Sequence, residues 1–228
     1  MGFLIAIDGP AGSGKSTVAK AVASRLGFGY LDTGAMYRAV AWAGLSQGLA
    51  RTDADGVLAL TESIALELSA DPNDPWVRWD GRDVTEPIRR PEVSAWVSTV
   101  ATNPGCRSEL VDRQRAIVAG RDFVLEGRDT TTVVAPQAQV RVLLVADPEV
   151  RLRRRGAELG PAVDRSGLVD QVLRRDREDS ALVEFERPAS GVTVIDSTEL
   201  TVAQVVDRIV GLADQAGLGR LTGSDPLV

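Results

Sequence analysis

Histidine is absent from the 228 residues, and cysteine occurs once, at Cys106. Without them the chain cannot build a Ser-His or Cys-His nucleophilic pair, a histidine metal site or a disulfide. Its chemistry has to run on carboxylates, hydroxyls, lysine and arginine. Lysine is scarce too: it stands only at 15 and 20, and the other 24 of the 26 basic residues are arginine. Aromatics make up 4%, so aliphatic side chains must fill the core. No stretch approaches the roughly 18 apolar residues of a membrane span, and the N-terminal apolar run stops at Asp8 without a charged leader. A cytoplasmic protein with no membrane partner is the expectation. The net charge of −6 lacks the broad basic footprint that nucleic-acid binding needs, so no nucleic-acid partner is expected. No long exposed apolar seam is visible, so a monomer is expected.

What is present is ordinary globular composition, 44% hydrophobic and 25% charged. Apolar runs recur at 3–7, 28–31, 122–126, 140–146 and 192–196. Most are continuous rather than alternating, as strands buried on both faces of a parallel sheet are. Amphipathic stretches lie between them, such as Val202, Val205, Val206, Ile209 and Leu212 behind a Thr201-x-x-Gln204 capping box. The pattern predicts a three-layer α/β fold with a doubly wound, five-stranded parallel sheet. Residues 33–120 exceed what a crossover needs. They read as an insertion with its own small antiparallel sheet, carried by strand-like segments at 65–69 and 76–79 and an Asp80-Gly81 hairpin turn. The core is then 1–32 with 121–217, and 218–228 reads as a flexible tail.

Directly after the first strand comes Gly9-Pro10-Ala11-Gly12-Ser13-Gly14-Lys15-Ser16-Thr17, which satisfies G-x-x-x-x-G-K-[ST]. Its glycines let successive backbone N–H groups turn around an anion, and the following helix adds partial positive charge. Lys15 reaches the β- and γ-phosphates, and the Ser16 hydroxyl ligates Mg²⁺. A strand-to-helix turn that binds nothing is the plain alternative. A guanine-reading Asn-Lys-x-Asp is impossible, because the only asparagines, Asn73 and Asn103, precede Asp74 and Pro104. Small-molecule kinases and P-loop binding modules remain.

Ligands of open α/β sheets bind beyond the carboxyl ends of the strands. Two of those ends carry polar residues, Asp32 to Arg38 and Glu126 to Asp129. Arg38 and Arg128 either clamp a second phosphoryl group, which suits the planar guanidinium fork, or pair with Asp32 and Asp129 at helix starts.

The segments GPAGSGKST (9–17), LDTGAMYR (31–38), IRRPEVS (88–94), RQR (113–115), EGRDTTTVVAP (126–136), RRDREDS (174–180) and VIDST (194–198) resemble the bacterial cytidylate kinases in sequence, order and spacing. The resemblance implies transfer of a phosphoryl group from ATP, with Mg²⁺, to CMP or dCMP. It implies an enlarged nucleoside-monophosphate-binding subdomain at 33–120 and a short arginine-rich lid at about 151–180. Thr33, Arg38 and Arg128 would hold the CMP phosphate, and Ser98, Arg107 and Asp129 would read cytosine. Arg175 and Asp179 would hold the ribose. Arg151 and Arg155 would lie over ATP, with Arg154 acting on the transferring group beside Lys15. Two positions depart from the family pattern: Leu182 replaces an arginine, and Thr131 replaces a glycine. A kinase of UMP, AMP or a non-nucleotide acceptor, and a nucleotide-binding module without transfer, are the alternatives.

Overall fold

The computed structural model describes residues 2–159 and 188–221. The five apolar runs form the strands of one parallel sheet: β1 (Leu4–Asp8), β2 (Gly29–Asp32), β6 (Phe123–Gly127), β7 (Val140–Val145) and β8 (Thr193–Asp196), in the order β2-β6-β1-β7-β8. The strand that carries the phosphate loop, β1, is central and flanked by β6 and β7. Asp32 at the end of β2 therefore lies beside Glu126 of β6, and Asp8 beside Gly127. The polar strand ends converge along one edge.

Both faces of the sheet are covered. On one, α1 (Lys15–Leu26) and α7 (Val202–Gln215) pack Val18, Val22, Val205 and Ile209 onto Phe3, Ile5 and Ile7. The expected capping box opens α7: Thr201 Oγ1 accepts from Gln204 N, and the Gln204 side chain accepts from Thr201 N. On the other face lie α2 (Thr33–Ser46), α3 (Ala54–Ser63), α4 (Pro91–Ala101) and α5 (Pro104–Val118), all from the inserted stretch. Met36, Val40, Trp96 and Leu110 share a core there with Leu31, Phe123 and Leu125 of the sheet. The inserted residues thus supply the second helical layer as well as the small sheet β3 (Leu66–Leu68), β4 (Val77–Trp79) and β5 (Arg82–Asp83), which is antiparallel. Asp80 and Gly81 join β4 to β5 with φ of 47° and 72°, the doubly left-handed backbone of a two-residue hairpin turn.

Behind β7, α6 (Pro148–Leu159) starts where Asp147 Oδ1 accepts from Glu149 N at 2.8 Å. Residues 218–221 continue as a short helix, α8 (Leu218–Leu221), with Leu218 buried. Among the described residues no helix is long and apolar enough to cross a membrane.

Candidate active site

β1 ends at Asp8, and the chain loops through residues 9–14 into α1. Gly12 and Gly14 have φ of 74° and 90°. At Gly12 a side chain would also collide with the Arg151 carbonyl, 2.6 Å from a Cβ built there, so glycine is required on both counts. No side chain caps α1, which leaves its first N–H groups to an anion.

The back of the loop is braced. Arg151 Nη1 donates to Ala11 O (3.3 Å) and its Nε to Ala146 O (3.2 Å). Arg154 Nη1 donates to Ser13 O (3.4 Å) and to Ser197 Oγ (3.0 Å), and its Nη2 to Ser197 O (2.8 Å).

In front of the loop, Ser16 Oγ donates to Glu126 Oε1 at 2.6 Å, and Tyr30 OH donates to the same oxygen at 3.1 Å. Burial lifts the Glu126 carboxyl above its ordinary range and the charge of Asp32 adds to this, against Lys15, the Ser16 hydroxyl and Arg38. For Asp32 burial pushes upward, but Arg38, Arg89, the Ala35 N–H and Lys15 outweigh it and hold the carboxyl below its ordinary range. Asp32 therefore carries the firm negative charge of the pair. It caps α2, accepting from Ala35 N at 2.9 Å, and takes Arg38 Nη2 on its other oxygen at 2.6 Å.

The second strand end is organised similarly. Arg107, from the first turns of α5, pairs with Asp129. Burial raises the Asp129 carboxyl, and Asp8 adds to this against Arg107. Tyr37 has its hydroxyl pushed up to about 12 by burial and by Asp129, so it is neutral. The Arg38 Nε is buried with no hydrogen-bond partner among the described residues. Thr33 Oγ1 donates to Glu126 O at 2.8 Å.

A single cavity of about 460 Å³ joins these parts. Lys15, Ser16 and Thr17 line one side and Thr33, Arg38, Arg128 and Asp129 the other. A phosphate cradle and a second cluster of arginines thus face one space.

The sequence matches the cytidylate kinase family model over residues 5–215. The chain belongs to the cytidylate kinase family. It is 51% identical over 212 residues to the cytidylate kinase of Cutibacterium acnes, covering 92% of this chain and 95% of that protein. To the cytidylate kinase of Pelotomaculum thermopropionicum it is 46% identical over 212 residues, covering 90% and 93%. An uncharacterised protein from Eubacterium ventriosum shares the fold, with a TM-score of 0.54 at 14% identity over 93% of this chain and 98% of its own.

Against what the cytidylate kinase resemblance led us to expect, most candidates converge. Ala11, Gly12, Gly14, Lys15, Ser16, Thr17, Thr33, Arg38, Arg107, Arg128, Asp129 and Arg155 line the cavity. Ser98 does not; the α4 face towards it consists of Ser94, Val97 and Ala101. Arg151 and Arg154 sit behind the loop, as described. Arg175, Asp179 and Leu182 lie outside the described residues. Of the two ion pairs weighed on spacing, Asp32–Arg38 forms, whereas Asp129 pairs with Arg107.

Several cavity residues escaped the sequence reading: Asp32 and Glu126 as a facing pair, Tyr37, Glu86, Arg89 and Lys20. Lys20 had a signal, since both lysines of the chain line this cavity. Glu86 had none and Arg89 only its place in the IRRPEVS segment, because they come from the turn before α4 and reach the site only through the fold.

Proposed function

We propose that this protein transfers the γ-phosphoryl group of ATP to the phosphate of CMP, and of dCMP, giving ADP and CDP or dCDP. The observation that carries the reading is the shared cavity, with a phosphate loop on one side and Arg38, Arg128 and Asp129 on the other. A module that only bound nucleotide would have no use for the second cationic cluster.

Residues 9–14 offer backbone N–H groups to the ATP phosphates, with Lys15 on the β- and γ-groups. Arg38 and Arg128 hold the acceptor phosphate with an oxygen in line with the γ-phosphorus. As the bond to the β,γ-bridging oxygen breaks, charge spreads over the peripheral oxygens, and fixed cations stabilise that distribution better than the ground state. The attacking phosphate oxygen is already anionic, so no strong base is required. Asp129 accepts from the exocyclic amine of cytosine while Arg107 donates to its ring acceptors; uracil presents a carbonyl to Asp129 instead. Ser98 and the pair Arg175 and Asp179 are carried as base and ribose contacts by motif alone.

The Ser16 hydroxyl, with Glu126 in contact and Asp32 beside it on the next strand, is the hard oxygen set that suits Mg²⁺ held partly through water and phosphate. When bound there, the ion neutralises phosphate charge. Arg155 faces the cavity, whereas Arg151 and Arg154 shape the loop from behind.

The test is ADP release from ATP with CMP, dCMP, UMP, AMP and shikimate as acceptors. CMP and dCMP turn over fastest; faster turnover on another acceptor overturns the reading. Asp129→Asn lowers the preference for CMP over UMP by about 10-fold to 100-fold, the range of a buried, matched polar contact. Unchanged discrimination removes Asp129 from base reading.

A further inference from the structure

Asp8 is a fully dressed carboxylate at the root of the phosphate loop, 2% exposed. Its Oδ1 accepts from the N–H and the hydroxyl of Thr130, at 2.9 and 2.6 Å, and its Oδ2 from the N–H and the hydroxyl of Thr131, at 2.8 and 2.6 Å. The two threonines open a π-helical turn, Thr130–Val134, in which Asp129 O accepts from the N–H groups of Thr132, Val133 and Val134. Arg115 caps the far end, donating to Val133 O at 2.7 Å and Val134 O at 3.2 Å. Arg128 and Asp129 are the residues immediately before this clasped turn, and Gly9 is the residue immediately after Asp8.

The structure assigns Thr130 and Thr131 as positioning residues of the acceptor site: by grasping Asp8 with both N–H groups and both hydroxyls, they fix the backbone carrying Arg128 and Asp129 to the root of the phosphate loop. The assignment rests on the reading of Arg128 and Asp129 as CMP-holding residues. A buried carboxylate needs all its lone pairs engaged. Glycine at 131 would keep the N–H bond but lose the hydroxyl, leaving Asp8 Oδ2 with one donor fewer and the turn free to rotate. The Thr131 hydroxyl therefore adds a bond that a glycine could not make, and the two hydroxyls together fix the distance between donor and acceptor machinery.

Thr131→Val keeps the side-chain volume and removes the hydroxyl. The KM for CMP should rise about tenfold with the KM for ATP within about twofold, since one buried charge-assisted bond on the acceptor side is lost. Thr131→Ser, which restores the hydroxyl, should return the KM for CMP to the parent value. Thr130→Val should act in the same direction. An unchanged KM for CMP, an equal rise for both substrates, or a melting temperature that falls without any change in KM overturns the assignment. If Thr131→Val does not fold, the same comparison is read from Thr130→Val and Thr131→Ala. Asp129→Asn, measured alongside, separates the two readings. A change in CMP discrimination there with an unchanged KM for CMP in the threonine variants rejects the clasp alone, whereas no change in Asp129→Asn rejects the base-reading assignment beneath it.

Discussion

The two sides of the cavity are built from different materials. On the proposed ATP side the groups offered are backbone N–H groups, and Arg151 and Arg154 are bonded to backbone carbonyls behind the loop. On the proposed CMP side the groups offered are side chains, and cations meet carboxylates directly, Arg38 with Asp32 and Arg107 with Asp129. A backbone cradle depends on a few φ values and survives most changes around it. A side-chain constellation depends on which charges sit next to which, and one substitution leaves a buried partner exposed to its own desolvation cost. The donor side is therefore robust and general, the acceptor side fragile and selective.

The sharpest break of that comparison is Lys15→Ala, a donor-side position where a side chain rather than the backbone is expected to meet phosphate. Loss of kcat by about 10³-fold is expected, in the range of removing a cationic group from a phosphoryl-transfer site. Steady-state turnover on a variant with unchanged far-ultraviolet circular dichroism checks it. Next comes Arg38→Ala, which removes an acceptor clamp and also frees the Asp32 carboxylate. A fall of about 100-fold in kcat/KM for CMP is expected, with ATP binding by calorimetry almost unchanged. Equal loss on both substrates would mean that the two sides are not separable. The smallest effect is expected from Arg154→Met, which keeps length and removes the brace. The KM for ATP should rise about fivefold and the melting temperature fall by about 2–4 °C, the scale of one or two lost hydrogen bonds in a chain of this size. A kcat loss as large as that of Lys15→Ala would show instead that Arg154 reaches the transferring group.

The same contrast decides what could be read from residues alone. The phosphate loop is contiguous, and its glycines are dictated by backbone geometry, so nine consecutive letters specify the cradle. The five strands were legible for a similar reason, because burial on both faces leaves continuous aliphatic runs. Asp32 facing Glu126 was not legible: the two residues are 94 positions apart and meet only because β2 lies next to β6. Arg107 is in the same position, its partner Asp129 being fixed by how α5 packs. Ser98 stands one helical turn beyond Ser94, which lines the cavity, but is not itself part of the lining. The arginine-rich stretch at 151–155 was read as a set, yet three guanidinium groups on one turn and a half point different ways. Thr131 departs from the family pattern, and its two bonds to Asp8, 123 positions away, exist only in the fold.

A peptide plane that points its N–H into the phosphate loop points its carbonyl out of it. Arg151 and Arg154 meet two such carbonyls, those of Ala11 and Ser13, and the amides on the other ends of those planes belong to Gly12 and Gly14. A cation on a carbonyl oxygen draws electrons through the conjugated C–N bond and makes the attached N–H a stronger donor. By polarising the main chain from behind, the two arginines make the Gly12 and Gly14 N–H groups stronger donors.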